Sequence, residues 1–275
     1  MKSIKSLFIV CAIALSFECL AQSQNIRVFS HRGGRMEYDE NTIEAFQASY
    51  NVGYRGFETD IRMTKDGELV ILHDSNLQRT STGSGAVEEK NRAEIEQLST
   101  KKGNKIAFLD DLMQFLSDKS GLYVEFEMKT QPESLYDEDR LKAYCDKLYK
   151  TVMANRPNDA EYVFTSFDCR TLRCMRSLHP DADLLMITSN PCDEHSIATC
   201  LALGINRLGA NINGTSRSGV ALAHKKGIKV SLWPGLSVED FLLGAYLGSD
   251  FLCTDIPTQL KAWIETNTHS LKVTF

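Results

Sequence analysis

Short apolar, β-branched runs alternate with helical stretches along nearly the whole chain, and this alternation most narrows its possible folds. Candidate strands are Ile26–Ser30, Gly56–Ile61, Leu69–His73, Leu122–Glu127, Tyr162–Thr165, Asp183–Ile187, Asn206–Ala210, Ile228–Leu232 and Phe251–Thr254. Candidate helices are Thr42–Val52, Asp110–Ser117, Leu135–Ala154, Thr171–Ser177, Ser196–Leu203, Ser216–Lys226, Val238–Leu247 and Thr258–Thr266. A strand can rejoin its neighbour in parallel only after a crossover the length of a helix, so the pattern reads as βα units on a parallel sheet. Asp66-Gly67 interrupts it with a two-residue hairpin signal between Thr59–Lys65 and Glu68–His73, a register that sets Asp60 opposite His73. Setting that return strand aside leaves eight strands, the count of a (β/α)8 barrel, whose chemistry sits at the C-terminal strand ends. No repeat or linker divides the sequence, so residues 22–275 are expected to form one domain.

The first residues read as a leader. Lys2 and Lys5 precede an apolar run from Leu7 to Phe17, and Cys19-Leu20-Ala21 offers small residues for cleavage after position 21. The run is too short to span a membrane, so a secreted or periplasmic protein without stable membrane insertion is expected. Six cysteines then remain: Cys145, Cys169, Cys174, Cys192, Cys200 and Cys253. In an oxidising compartment they permit disulfides, with Cys192 and Cys200 the nearest local pair; buried free thiols are the alternative. The formal charge of −5 comes with scattered Lys and Arg, which excludes the concentrated basic face that nucleic acid requires.

The reactive-looking residues cluster at strand ends. Glu58 and Asp60 are two apart and share a face, as do Glu125, Glu127 and Lys129. Two acidic pairs on parallel strands would make an all-oxygen site suited to Ca²⁺ or Mg²⁺ rather than Zn²⁺. Read alone, either pair also fits solvated strand-end charges. His31 and His73 each close an apolar run and lead into a polar turn, whereas His179, His195, His224 and His269 have polar surroundings and read as surface residues. Two imidazoles placed across a phosphate can act as base and acid in one turnover.

These residues stand in ordered motifs: His31-Arg32-Gly33, Glu40-Asn41-Thr42, Gly56-Phe57-Glu58-Thr59-Asp60, Thr64-Lys65-Asp66-Gly67 and Val70-Ile71-Leu72-His73-Asp74. Arg79-Thr80-Ser81-Thr82-Gly83, Glu127-Met128-Lys129, Ser166-Phe167, Trp233 and Thr254-Asp255-Ile256-Pro257 follow. The series resembles the glycerophosphodiester phosphodiesterase family over nearly the whole chain. That resemblance implies a (β/α)8 TIM barrel of the phospholipase C-like phosphodiesterase type. It implies a divalent metal ion, Ca²⁺ or Mg²⁺, and hydrolysis of a small-molecule glycerophosphodiester to glycerol 3-phosphate and an alcohol. Carried over by motif, Glu58, Asp60 and Glu127 would hold the metal and His31 and His73 would form the acid–base pair. Arg32 and Lys129 would grip phosphate oxygens, with Trp233 against the substrate.

Two departures from the family pattern bear on specificity. Where it commonly continues Trp-Thr-Val-Asn, this chain reads Trp233-Pro234-Gly235-Leu236, and Gly33-Gly34-Arg35-Met36 adds a basic group beside the phosphate loop. Arg35 reads as solvent-facing, with an anionic head group as its alternative partner. Tyr38 and Phe167 are further candidates for the pocket wall, and Phe167 reads rather as barrel core. A lysophospholipase D-like activity on the same scaffold would need an apolar groove, which the polar stretch Ser81–Glu89 does not offer. A non-catalytic phosphodiester-binding barrel is the rival from another class.

Overall fold

The computed structural model describes residues 25–154, 156–268 and 271–275, so the leader segment and His269 lie outside the described residues. Eight parallel strands close into a barrel: β1 (Asn25–His31), β2 (Gly56–Met63), β4 (Tyr123–Met128), β5 (Glu161–Ser166), β6 (Leu184–Ile187), β7 (Arg207–Asn211), β8 (Lys229–Trp233) and β9 (Phe251–Thr254). β9 pairs back onto β1, and β1 onto β2, which completes the ring. Among the described residues two further strands stand outside it, β3 (Leu69–Ile71) and β10 (Lys272–Thr274). The helices are α1 (Ile43–Val52), α2 (Arg92–Ile95), α3 (Leu109–Leu116), α4 (Glu138–Ala154), α5 (Cys169–Leu178), α6 (Glu194–Ala202), α7 (Arg217–Lys225), α8 (Val238–Leu247) and α9 (Pro257–Asn267). None is long and apolar enough to cross a membrane.

Local chemistry starts these helices where the strands end. Thr42, Asp168, Asp193, Ser216 and Ser237 each accept a hydrogen bond from a backbone N–H of the first turn, satisfying donors that the helix itself cannot. Outside the barrel, strands and helices share one large apolar core; inside it, Phe29, Tyr123, Val163, Leu185, Phe251 and Cys253 form a second cluster. The excursion between β2 and α3 has a small core of its own around Leu72, Leu77, Val87, Ile95 and Phe108.

The hairpin register differs from expectation. Ile61 pairs with Ile71 and Met63 with Leu69, and Leu72 N donates to Asp60 O, so Asp60 faces Leu72 rather than His73. The loop holds three residues, Lys65-Asp66-Gly67: Thr64 N donates to Glu68 O, and Gly67, at φ 82°, donates to Thr64 O. This is a turn closed by a left-handed glycine, the three-residue hairpin solution rather than the two-residue one.

The joint between β1 and β2 is short, as are those between β6 and β7 and between β8 and β9. Only Ser30–Phe57 and His31–Glu58 pair across it. Below, the same edge of β1 is taken by β10; above, the same edge of β2 is taken by β3. The barrel is therefore spread on both sides of His31 and Glu58.

Candidate active site

β2 points Glu58 and Asp60 into the barrel mouth, and β4 sets Glu127 directly beside Asp60 in the ladder. One carboxylate oxygen from each lies within 4.8 Å of the others, and all three residues are buried. Burial and the charges of Asp60 and Glu127 push the Glu58 carboxyl well above its ordinary range. Burial pushes Asp60 the same way, but the Arg32 and Lys129 cations overcome it and hold Asp60 ionised and below its usual value. Glu58 Oε1 and Asp60 Oδ1 are buried without a hydrogen-bond partner. Crowded carboxylates with orphaned inward oxygens fit a hard divalent cation, whose charge would satisfy both.

Both histidines are oriented by carboxylates. His31 Nδ1 lies 2.6 Å from Asp255 Oδ1, and His73 Nδ1 lies 2.6 Å from Asp74 Oδ1. An ionised carboxylate only accepts, so each Nδ1 carries a proton and each ring turns Nε2 to the site. His31 Nε2 is 3.6 Å from Glu58 Oε2. The supporting carboxylates differ: Asp255 is fully buried and also takes Arg35 Nε at 2.8 Å, whereas Asp74 is part-exposed and paired with Arg79. Burial lowers the His73 ring below its ordinary value; Asp60 opposes this, and Arg32 and Lys129 reinforce it. Asp74 is held down at about 2, because hydrogen bonds from Arg79 and His73 outweigh its partial burial.

Two cations face the carboxylates. Arg32 Nε is 3.0 Å from Asp60 Oδ2, and Lys129 Nζ is 2.8 Å from Glu127 Oε1 and 3.6 Å from Asp60 Oδ1. Arg32 sits at φ 53°, a left-handed conformation costly for a side-chain-bearing residue. That turn brings its backbone N–H to Glu58 O at 3.1 Å and Glu58 Oε2 at 3.2 Å. Gly33 must follow, since a Cβ there would lie 2.7 Å from Ala45 Cβ.

The sequence motifs contain several supporting residues to which no role was given. Asn41, also left-handed at φ 60°, donates from Nδ2 to Asp60 Oδ2 at 2.7 Å. Arg79 joins Asp74 to Glu40, which holds Arg32 at 3.2 Å. Arg62, buried on β2 and paired with Glu88 at 2.7 Å, donates to the carbonyls of His73 and Gln131, which fixes the chain after β3 and after β4. Asn41, Asp74, Arg79 and Asp255 lie inside the motifs quoted above, so their signal was present. Arg62 had none, because nothing local marks it as a collector of distant carbonyls.

Other expectations change. Arg35 is bound to Asp255 rather than left to solvent. Tyr38 hydroxyl pairs with Thr258, and Tyr38 is not among the residues lining the cavity. Phe167 is not closed barrel core but lines the cavity wall, edge-to-face with Trp233 at 5.6 Å. Gly235 packs so closely on β9 that a Cβ would fall 1.8 Å from Cys253 O, and its carbonyl accepts from Asp255 N. The Pro234-Gly235 departure thus ties the Trp233 loop to the strand that carries Asp255. Glu125 points into the cavity floor, where Tyr123 hydroxyl donates to it. His179 is half-buried and stacked on Tyr149. The six described cysteines, Cys192 and Cys200 included, are unbridged.

A cavity of about 480 Å³ opens at the mouth, lined on one side by His31, Arg32, Glu58, His73 and Glu127. A second, of about 330 Å³, lies between the chain after β3 and the chain after β4 and β5.

Comparison with known proteins identifies a family and a shared fold. Residues 31–259 match the model of the glycerophosphoryl diester phosphodiesterase family. A glycerophosphodiester phosphodiesterase of Caldanaerobacter subterraneus is 28% identical, over 85% of this chain and 95% of that protein. A phosphodiesterase from Oleispira antarctica, solved in complex with the product sn-glycerol-3-phosphate, superposes with a TM-score of 0.79 at 22% identity. That match covers 89% of this chain and 99% of the other. A glycerophosphodiester phosphodiesterase from Parabacteroides distasonis superposes at 0.74 with 19% identity, over 89% of this chain and 98% of its own.

Proposed function

The chain belongs to the glycerophosphoryl diester phosphodiesterase family, and on that premise we propose that it hydrolyses glycerophosphodiesters to glycerol 3-phosphate and an alcohol, using a divalent cation and a histidine pair. The observation that carries this reading is the juxtaposition at one barrel mouth of three buried carboxylates with two histidines, each oriented by its own carboxylate.

Glu58, Asp60 and Glu127 would hold the ion. Bound there, Ca²⁺ or Mg²⁺ would supply Lewis-acid polarisation of the phosphoryl group. Arg32 and Lys129 hold fixed positive charge beside the three carboxylates, where it meets the phosphate oxygens as their charge grows. His31 and His73 divide the proton transfers: one Nε2 accepts a proton from the attacking hydroxyl, and the other donates to the departing alkoxide. Asp255 and Asp74 hold the Nδ1 proton of each ring. The accepting ring thus presents a bare Nε2, the donating ring enters as the imidazolium with its second proton on Nε2, and solvent restores both protonation states after turnover. Trp233 and Phe167 wall the phosphate site against water. Export through residues 1–21, with release after Ala21, completes the proposal; N-terminal sequencing of the protein recovered outside the cytoplasm checks it.

The test of the activity is release of glycerol 3-phosphate from glycerophosphocholine by the purified chain with Ca²⁺, with Mg²⁺ and with chelator. Release that needs the ion supports the reading. Folded protein that releases nothing with either ion sinks it.

A further inference from the structure

α4 and α5 pack side by side on the outside of the barrel. The buried face of α4 runs through Leu141, Tyr144, Cys145 and Leu148, and that of α5 through Thr171, Leu172 and Met175. Cys145 is fully buried where these faces meet, with Sγ 3.9 Å from Thr171 O. Cys174 follows Thr171 by three residues, which in a helix sets it on the same side, one turn on. The two thiols are in hydrogen-bond contact, Cys145 donating and Cys174 accepting. Lys142, one turn before Cys145, brings its charge toward the same Cys174 sulfur.

This pair differs from the other described cysteines. Cys192 and Cys200 are both buried, and the Cys200 thiol donates to the carbonyls of Ile205 and Arg207 at 3.2 and 3.4 Å. Cys253 is buried inside the barrel. Cys169 is part-exposed but stands five residues before Cys174, which turns it to another side of α5. Thiol–disulfide exchange needs one sulfur that a reagent reaches and a second poised to displace it. Cys174 is half-buried and Cys145 buried behind it, so the two positions match those roles. Burial raises both thiols above their ordinary value. At Cys174 the hydrogen bond from Cys145 and the charge of Lys142 oppose the rise, whereas at Cys145 the neighbouring sulfur adds to it.

We propose that Cys174 and Cys145 form a redox pair, which small-molecule disulfides convert to a bond stapling α4 to α5. The Cys174 thiolate attacks one sulfur of the reagent and breaks its S–S bond. One reagent thiol leaves with a proton, and a mixed disulfide stays on Cys174. Cys145 then gives up its proton and attacks the Cys174 sulfur; the Cys145–Cys174 bond forms and the second reagent thiol leaves. The protein dithiol loses two electrons, and the reagent disulfide gains them as two thiols. Neither cysteine lines either cavity, so the staple acts on the stability of the barrel wall and not on the reacting groups.

The experiment treats the folded, reduced protein with oxidised glutathione at about pH 8.5, blocks the remaining thiols by alkylation and maps the peptides by mass spectrometry. A linked Cys145–Cys174 peptide is expected. Cys145→Ser should stop at glutathione on Cys174, and Cys174→Ser should leave Cys145 unmodified. The oxidised parent should melt about 5–10 °C above the reduced parent, a shift that dithiothreitol reverses and Cys174→Ser lacks. Three results overturn the proposal: a link between other cysteines in place of this one, glutathione held on Cys174 of the parent without closure, or a closed bond that leaves the melting midpoint unmoved.

Discussion

β1, β2 and β4 send His31, Glu58, Asp60 and Glu127 into the barrel mouth, whereas β6 to β9 send Leu185, Ile187, Gly209, Ser231 and Cys253 into the same cavity. On the first side these four side chains are charged or titratable, are tied to named partners, and rest on a backbone held in place from outside the barrel. Arg32 and Asn41 are held left-handed, and Arg62 gathers carbonyls from two separate loops. On the second side small and apolar residues leave space. The contrast separates two duties. Charge stabilisation demands fixed dipoles and costs backbone strain, while accommodation of a substrate group demands only volume and dryness. If this division is right, substitutions on the first side should act on kcat and those on the second on selectivity.

The largest effect belongs to the carboxylates. Glu58→Gln combined with Asp60→Asn should abolish ion-dependent turnover, as chelation does, while circular dichroism shows the barrel intact. Isothermal titration with Ca²⁺ checks the cause, because the double variant should lose the binding seen in the parent. Retained tight binding would move the ion site elsewhere and break the comparison at its strongest point. Next come the histidines. His31→Ala and His73→Ala should each lower kcat by about 10²- to 10⁴-fold, the usual contribution of a positioned acid or base. Ser231→Ala, across the cavity, should leave kcat for glycerophosphocholine nearly unchanged. Equal losses on the two sides would erase the distinction.

The first side was the more legible in sequence, for a physical reason. Charged groups needed at one point must alternate along a strand and stand at its end, so the spacing of Glu58-x-Asp60 and Glu127-x-Lys129 shows a shared face, while their roles came only from the ordered motifs around them. The eight barrel strands were readable for the same reason: periodicity is local. What sequence concealed depends on contacts distant along the chain. β10 is a short strand paired, among the described residues, with the start of β1. The hairpin loop gained a residue because Gly67 takes a positive φ, which flanking Asp and Gly signal equally for two- and three-residue loops. Gly209 is a close-packing position, since a Cβ there would lie 3.0 Å from Leu185 Cδ2, and a glycine in a strand carries no sign of the distant side chain that rests on it.

Asp255 tests the seam between the sides, since it stands just past β9 yet serves His31. Asp255→Asn preserves shape but presents an amide N–H or a neutral oxygen to Nδ1, which removes the charge that steadies the imidazolium and frees the other tautomer. A fall in kcat on the order of 10²-fold with little change in KM is expected, together with a displaced pH profile. A purely structural role would instead lower stability and leave the pH profile in place. Urea unfolding beside the kinetics separates the two.

Glu125 carries the smallest expected effect on turnover and sits where the sides meet, on the cavity floor beneath the carboxylates. Burial pushes its carboxyl up from 4.5 to about 7; the hydrogen bond from Tyr123 and the charge of Arg207 oppose the rise, and Glu127 adds to it. Between those two values the folded chain binds more protons at this site than the unfolded chain does, so stability falls as pH rises. The contribution is whole below about pH 4.5 and is lost as pH passes through about 7, with a limit of about 3 kcal/mol. Glutamine keeps the shape and has no proton to lose. In chelator, Glu125→Gln should therefore match the parent near pH 4.5 and exceed its stability increasingly toward pH 8, while glycerophosphocholine turnover near neutrality stays close to the parent's. A stability difference that does not change with pH would remove the titration argument. A large loss of Ca²⁺ affinity in the same variant would make Glu125 a fourth ligand and extend the charged side across the cavity floor.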